Sequence, residues 1–189
     1  MKCLPTKFNN ALTFTPKKHG DDRGFFSEIF IQKGFNEHAP DVNFVQDNHS
    51  LSRDIGVLRG LHFQSPPIAQ GKLVRVTRGK VLDVIVDIRK GSPTYGQHEK
   101  FELSAENWTQ LWVPIGFAHA FITLEENTEF LYKVTNYYSP QHDGGIRFDD
   151  PALGIDWPLP VDQIKTSEKD KKLPTLAELD NPFVYGENC

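Results

Sequence analysis

The stretch Gly56-Val57-Leu58-Arg59-Gly60-Leu61-His62-Phe63-Gln64 sets an arginine, a histidine and a glutamine among apolar residues and two glycines. Read as a strand, it alternates its side chains, so Leu58, Gly60, His62 and Gln64 share one face. Gly60 adds no side chain to that face, which suits a bulge or the close approach of a ligand or a second backbone. A titratable imidazole beside bare backbone is the outline of a reaction centre. Standing alone, a buried histidine with its hydrogen bond satisfied is the better account. The rest of the chain decides between the two.

Outward from this stretch the chain reads as short strands between turns. On the N-terminal side, Leu12 and Phe14 alternate between Pro5 and Pro16 and predict an edge strand, and Phe25–Phe30 follows a turn at Asp21–Gly24. Residues 31–40 suit a short helix, and Phe44–Asn48 returns to alternation with Gln46 and Asn48 on one face. On the C-terminal side come Lys72–Val76, Val81–Ile88 (the strongest strand signal), Phe101–Leu103, Gln110–Val113, Ala120–Leu124 and Glu129–Thr135. This tight spacing predicts an all-β, antiparallel double-sheet sandwich or barrel. Long amphipathic helices between strands are absent, which disfavours a parallel α/β sheet. From Pro140 loops dominate, and Thr175–Leu179, with Thr175 three residues before Glu178, predicts a short C-terminal helix.

A length of 189 residues fits one domain, 1–189, with a core over about 12–160 and a C-terminal extension over 161–189. Hydrophobic residues at 38% mark a globular chain, not a disordered one. A net charge of −4 gives no global field for nucleic acid or an anionic membrane, so neither is expected as a partner. Cys3 and Cys189 lie far apart, away from metal-ligand spacing, as in a reduced cytosolic protein. With no apolar run near the length of a membrane span and no apolar signal core, a cytoplasmic location is expected. Dinucleotide, P-loop, zincin and nucleophile-elbow motifs are missing, so a bound phosphate would rest on scattered Arg and Lys.

Three stretches together carry a resemblance: Gly56–Gln64 (GVLRGLHFQ), Gln70–Arg75 (QGKLVR) and Pro114–His119 (PIGFAH). With Asp22–Phe26 (DRGFF), Phe44–Ser50 (FVQDNHS), Val86–Thr94 (VDIRKGSPT), Tyr137–Gly144 (YYSPQHDG) and Ser167–Asp170 (SEKD), the chain resembles the dTDP-4-dehydrorhamnose 3,5-epimerases from about residue 12 to 175. The resemblance implies a cupin-type jelly roll with a short helical appendage, a homodimer, and no metal or organic cofactor. Many metal-binding cupins place two histidines one residue apart, then a glutamate. Here position 64 is Gln and Ile68-Ala69-Gln70 offers no carboxylate, which makes a poor metal cage.

The implied reaction is epimerisation at C3 and C5 of a dTDP-linked 4-keto-6-deoxyhexose, through an enolate at the C4 ketone. It needs a base, an oxyanion stabiliser and an acid on the opposite face. By resemblance His62 is the base, Asp170 holds its imidazole, Lys72 takes the C4 oxygen and Tyr132 donates the proton. The resemblance also implies substrate contacts from Arg23, Phe26, Glu28, Gln46, Asn48, Arg59, His119, Tyr138, Asp143 and Lys169. Asp143 stands where some members have glutamate, and Ala120 where glycine is common. Strict alternation puts Arg59 opposite His62, so one pocket using both requires Gly60 to bend the strand. Competing readings are a single-site 3- or 5-epimerase, a non-catalytic sugar-nucleotide-binding cupin, and a metal-dependent oxygenase.

Overall fold

Alternating apolar side chains, broken by Gly, Pro and Asn turns, fold into antiparallel strands throughout a computed structural model that describes residues 1–8 and 10–186. Strands β1 (Lys2–Pro5), β2 (Leu12–Thr15), β3 (His19–Asp21) and β4 (Gly24–Phe26) precede a short helix, α1 (Gln32–Asn36). Next come β5 (Gln46–Ser52), β6 (Leu58–Gln64), β7 (Lys72–Arg78), β8 (Lys80–Asp87) and β9 (His98–Ser104). The series ends with β10 (Gln110–Val113), β11 (Phe117–Thr123), β12 (Thr128–Val134) and β13 (Asp143–Gly145). One sheet runs β1-β2-β10-β7-β12-β5, a second runs β13-β6-β11-β8-β9, and β3 pairs only with β4. Apart from β1–β2, β3–β4 and β8–β9, paired strands are not consecutive in sequence, as in a double-sheet jelly roll.

The core between the sheets is built from every second residue of each strand. Val74, Val76, Leu111 and Phe130 from the first sheet meet Val81, Ile85, Phe117 and Phe121 from the second. Strand β8 reads as an unbroken apolar run because both its faces are covered. Val81 and Ile85 face the sandwich, while Val84 and Val86 face a second cluster with Ile146, Leu153 and Phe183 of the C-terminal segment. A third cluster sets Phe35 of α1 and Phe14 against Trp112 on the outer face of the first sheet. Burying each such side chain contributes roughly 1.5–3 kcal/mol, so the flanking segments are integral to the fold. Among the described residues no helix is long and apolar enough to cross a membrane.

Two expectations need correction. Strand β2 is not an edge, because β1 pairs with it on one side and β10 on the other, and β1 itself takes the edge. Thr175–Leu179 is a single turn, not a helix. The Thr175 N–H and hydroxyl both donate to Glu178 Oε2, at 3.0 and 2.7 Å, so the capping pair forms. Leu176 and Leu179 pack on the second cluster instead of extending a helical stripe, and the chain runs on into Asn181-Pro182. Among the described residues, the regular helical content of the C-terminal segment is limited to 3-10 turns at Val161–Gln163 and Asp170–Lys172. Cys189 lies outside the described residues.

Candidate active site

Between the sheets lies an open cavity of about 570 Å³. Arg59, His62 and His119 enter it from the five-stranded sheet, Lys72 and Tyr132 from the six-stranded one, and Asp170 from the C-terminal segment.

Gly60 makes the first half of this arrangement possible. In the pairing of β6 with β11, His62 faces His119 and Arg59 faces Phe121, so β6 spends one residue more than its partner between these two points. The bulge returns Arg59 and His62 to the same side, as their joint use requires. Gly60 has φ +124°, and a Cβ there would stand 2.5 Å from the His119 carbonyl oxygen and 2.6 Å from the Ala120 Cβ. Only glycine fits.

His62 Nε2 lies 2.8 Å from Asp170 Oδ1. An ionised carboxylate only accepts, so this contact keeps the imidazole proton on Nε2 and leaves Nδ1 with the free lone pair. Asp170 is buried on the strap that follows β13. Burial pushes its pKa up, but hydrogen bonding and charge from His62, the Gly60 N–H and the Ser167 hydroxyl outweigh it and hold the carboxyl below its usual range. Asp170 is therefore an anion at neutral pH.

A second histidine–carboxylate pair stands beside the first. His119 Nε2 lies 2.9 Å from Asp83 Oδ2 and 3.0 Å from Oδ1, with both side chains buried. Sequence reasoning missed Asp83, although the signal was present: a carboxylate in the middle of the apolar run Val81–Ile88. It also missed Ser167, which lines the cavity.

Lys72 Nζ donates to the His62 carbonyl at 3.4 Å. Burial lowers its pKa to about 8, against the upward pull of the Asp143 and Asp83 charges. Tyr132 has its pKa raised by burial, with Arg59 pulling the other way, so its phenol stays protonated. Gln64, at the position that metal-binding cupins give to an imidazole, is consumed by structure: its amide donates to the Ile68 and Tyr137 carbonyls and accepts from the Ser139 N–H. Among the described residues no three His, Cys, Asp or Glu side chains gather as a metal cluster.

Of the residues expected to bind the nucleotide, several form one connected group. Gln46 donates to Asn48 at 2.8 Å and accepts from the Tyr138 N–H at 3.2 Å. The Tyr138 hydroxyl donates to Asp143 at 3.1 Å, and Lys169 pairs with the same carboxylate. Asn48 faces Tyr132 across the β5–β12 ladder.

Arg23, Phe26 and Glu28 are not brought to the cavity of their own chain. They lie on or just after the β3–β4 hairpin, whose strands pair only with each other, and all three are exposed. Arg23 pairs with Asp21 at 2.6 Å. The hairpin touches the sandwich through Phe25, edge-on to Trp108 at 5.2 Å.

Residues 5–178 match the family model of dTDP-4-dehydrorhamnose 3,5-epimerase. A dTDP-4-dehydrorhamnose 3,5-epimerase of Sinorhizobium fredii is 56% identical over 90% of this chain and 87% of its own length. One from Salmonella typhimurium is 53% identical over 94% and 97%. Among solved structures, the Legionella pneumophila RmlC epimerase in complex with dTDP-4-keto-L-rhamnose superposes with a TM-score of 0.93 at 45% identity, over 98% of this chain and 99% of that one. This cavity, with its bulge-set histidine, sits in a chain that belongs to the dTDP-4-dehydrorhamnose 3,5-epimerase family.

Proposed function

We propose that this chain is the epimerase that inverts C3 and C5 of dTDP-4-dehydro-6-deoxy-D-glucose, giving dTDP-4-dehydro-L-rhamnose for deoxysugar biosynthesis. The observation that carries this reading is the placement of His62 on one sheet and Tyr132 on the other, lining one cavity with Lys72.

His62 Nδ1 takes the proton from the carbon beside the ketone. The C–H electron pair becomes a C=C bond to C4, and the carbonyl π pair moves onto oxygen. The Lys72 ammonium stabilises that enolate oxygen. When the enolate collapses, Tyr132 delivers its phenolic proton to the other face of the carbon, and solvent restores both side chains. Asp170 stabilises the imidazolium formed in between. The second carbon follows the same course, so the ketone is regenerated and no redox partner is consumed.

Arg59, Gln46, Asn48, Tyr138, Asp143, Lys169 and His119 are the residues we assign to the nucleotide and sugar. Arg23, Phe26 and Glu28 join them in a homodimer, each hairpin reaching the other chain's cavity. Phe25 and Phe26, 55% and 67% exposed, support that assembly. The cytoplasm is the location we propose, on charge and cysteine usage.

Incubation of dTDP-4-keto-6-deoxyglucose with the protein in D2O tests the reading. Label at C3 and C5 with inversion is the expected result, undiminished by chelator. Label at one carbon replaces it with a single-site epimerase, and dTDP binding without exchange leaves a non-catalytic binder.

A further inference from the structure

The carboxylate that orients His62 comes from outside both sheets, on a strap tied down at its start. Lys165 bridges to Val57: the Leu58 N–H donates to the Lys165 carbonyl at 2.8 Å, and the Lys165 N–H donates to the Gly56 carbonyl at 2.9 Å. Beyond this anchor, contacts converge on Asp170. Its N–H donates to Ser167 Oγ at 3.1 Å, and the Ser167 side chain helps hold the Asp170 carboxyl below its usual range. The Lys171 N–H donates to the Ser167 carbonyl at 3.2 Å. Thr166 Oγ1 reaches Oδ2 at a longer 3.4 Å, leaving Oδ1 to His62.

We infer that Ser167 is a positioning residue for the reaction: its hydroxyl oxygen, accepting from the Asp170 N–H, fixes the turn that carries Asp170 against His62 Nε2, so that Nδ1 is the nitrogen offered to the substrate. This rests on the reading of His62 as the base. A carboxylate free to turn away leaves neutral imidazole with both tautomers, and the one protonated at Nδ1 has no lone pair toward the sugar. Ser167 is itself exposed, so its hydroxyl contributes orientation more than core packing.

The test compares Ser167→Ala and Ser167→Thr with the unaltered protein, in two measurements. One is turnover of dTDP-4-keto-6-deoxyglucose, and the other is the 15N spectrum of the neutral His62 imidazole in the free protein. For Ser167→Ala, kcat should fall about 10-fold, the scale of a small misplacement of a catalytic group, with KM within about two-fold. The 15N pair should shift from a single Nε2–H tautomer to a mixture, and Ser167→Thr should restore both readouts. A Ser167→Ala protein with ordinary kcat or an unmixed tautomer overturns the inference, as does a change confined to KM, which would make Ser167 a substrate contact. If Ser167→Ala fails to fold, Ser167→Thr against Ser167→Val makes the same comparison at near-constant volume, and equal behaviour of those two overturns it. Absence of turnover in the unaltered protein would sink the epimerase reading alone, because the tautomer measurement needs no substrate.

Discussion

His62 and His119 stand directly opposite each other in the β6–β11 ladder, yet each ring turns its Nε2 to a different carboxylate, Asp170 from the strap and Asp83 from β8. Side chains paired across antiparallel strands share a face, so the two imidazoles enter the cavity as neighbours. Their surroundings separate them. His62 is part-exposed to the cavity, whereas His119 is buried and stacked near Phe130 at 6.2 Å. The first is open to the cavity and the second is held between Asp83 and the core.

In the proposed mechanism Lys72 should set the alkaline limit of the reaction. Its ammonium is the useful form, and its pKa of about 8 means activity is full below that value and fades as pH rises through it. Lys72→Met should slow turnover about 10²–10³-fold and flatten that limb of the pH–rate profile. Asp83→Asn removes one negative charge that supports the ammonium, so the limb should move to lower pH. For stability the sign is opposite. Between about 8 and 10.5 the unfolded chain holds a proton the folded one has lost, so this residue makes stability rise with pH across that window and imposes a cost below it. Lys72→Met should therefore raise stability at neutral pH by on the order of 1 kcal/mol, the open cavity moderating the burial cost. A lowered Tm in that variant would contradict the assignment.

Tyr132→Phe keeps the ring that packs beside Phe130 and removes only the proton. Loss of a general acid costs about 10²–10⁴-fold in inversion. Removal of the proton by His62 should continue, so deuterium should still enter at C3 or C5 with retained configuration. Parallel loss of exchange and inversion would show that the phenol does not work from the opposite face.

Gly60→Ala attacks the bulge. The new Cβ meets backbone at His119 and Ala120 under 3 Å, and the backbone sits at a φ that L residues rarely adopt. A destabilisation of about 2–4 kcal/mol is expected, with loss of activity in the folded fraction as Arg59 and His62 part company. Thermal unfolding followed by circular dichroism checks the first part, and exchange in D2O the second.

The proposed dimer gives Arg23 a site it does not touch in its own chain. If the dimer places it in the other cavity, Arg23→Ala and His62→Ala proteins are each impaired, but mixed dimers hold one cavity with both residues intact. About a quarter of all cavities should recover after random reassociation of equal amounts. Activity of the mixture no higher than that of the separate variants would return Arg23 to a role on its own hairpin.

Much of this was legible in the residues. The alternation that put Arg59 opposite His62 implied that Gly60 must break the ladder, and the register shift between His119 and Phe121 is that break. The antiparallel sheets followed from strand spacing, and helix α1 from the weakest strand stretch. What stayed hidden depended on partners brought from a distance. Asp170 reaches His62 across 108 residues, and nothing local separates it from its solvated neighbours Glu168, Lys169 and Lys171. Asp83 was passed over because apolar continuity dominated the reading of β8. The edge was assigned to Leu12–Thr15 because Lys2–Pro5 shows no apolar–polar alternation and ends on a proline.

The jelly roll has one more consequence for the reaction. A carbanion flattened by its neighbouring carbonyl has lost its handedness, and free in water it would be quenched from above and below alike. In the mechanism proposed, the two layers of the sandwich form unlike walls, His62 on one as proton acceptor and Tyr132 on the other as proton source. The chirality of the product is thus written into the architecture itself, and a proton returned from the wall that took it would leave the sugar unturned.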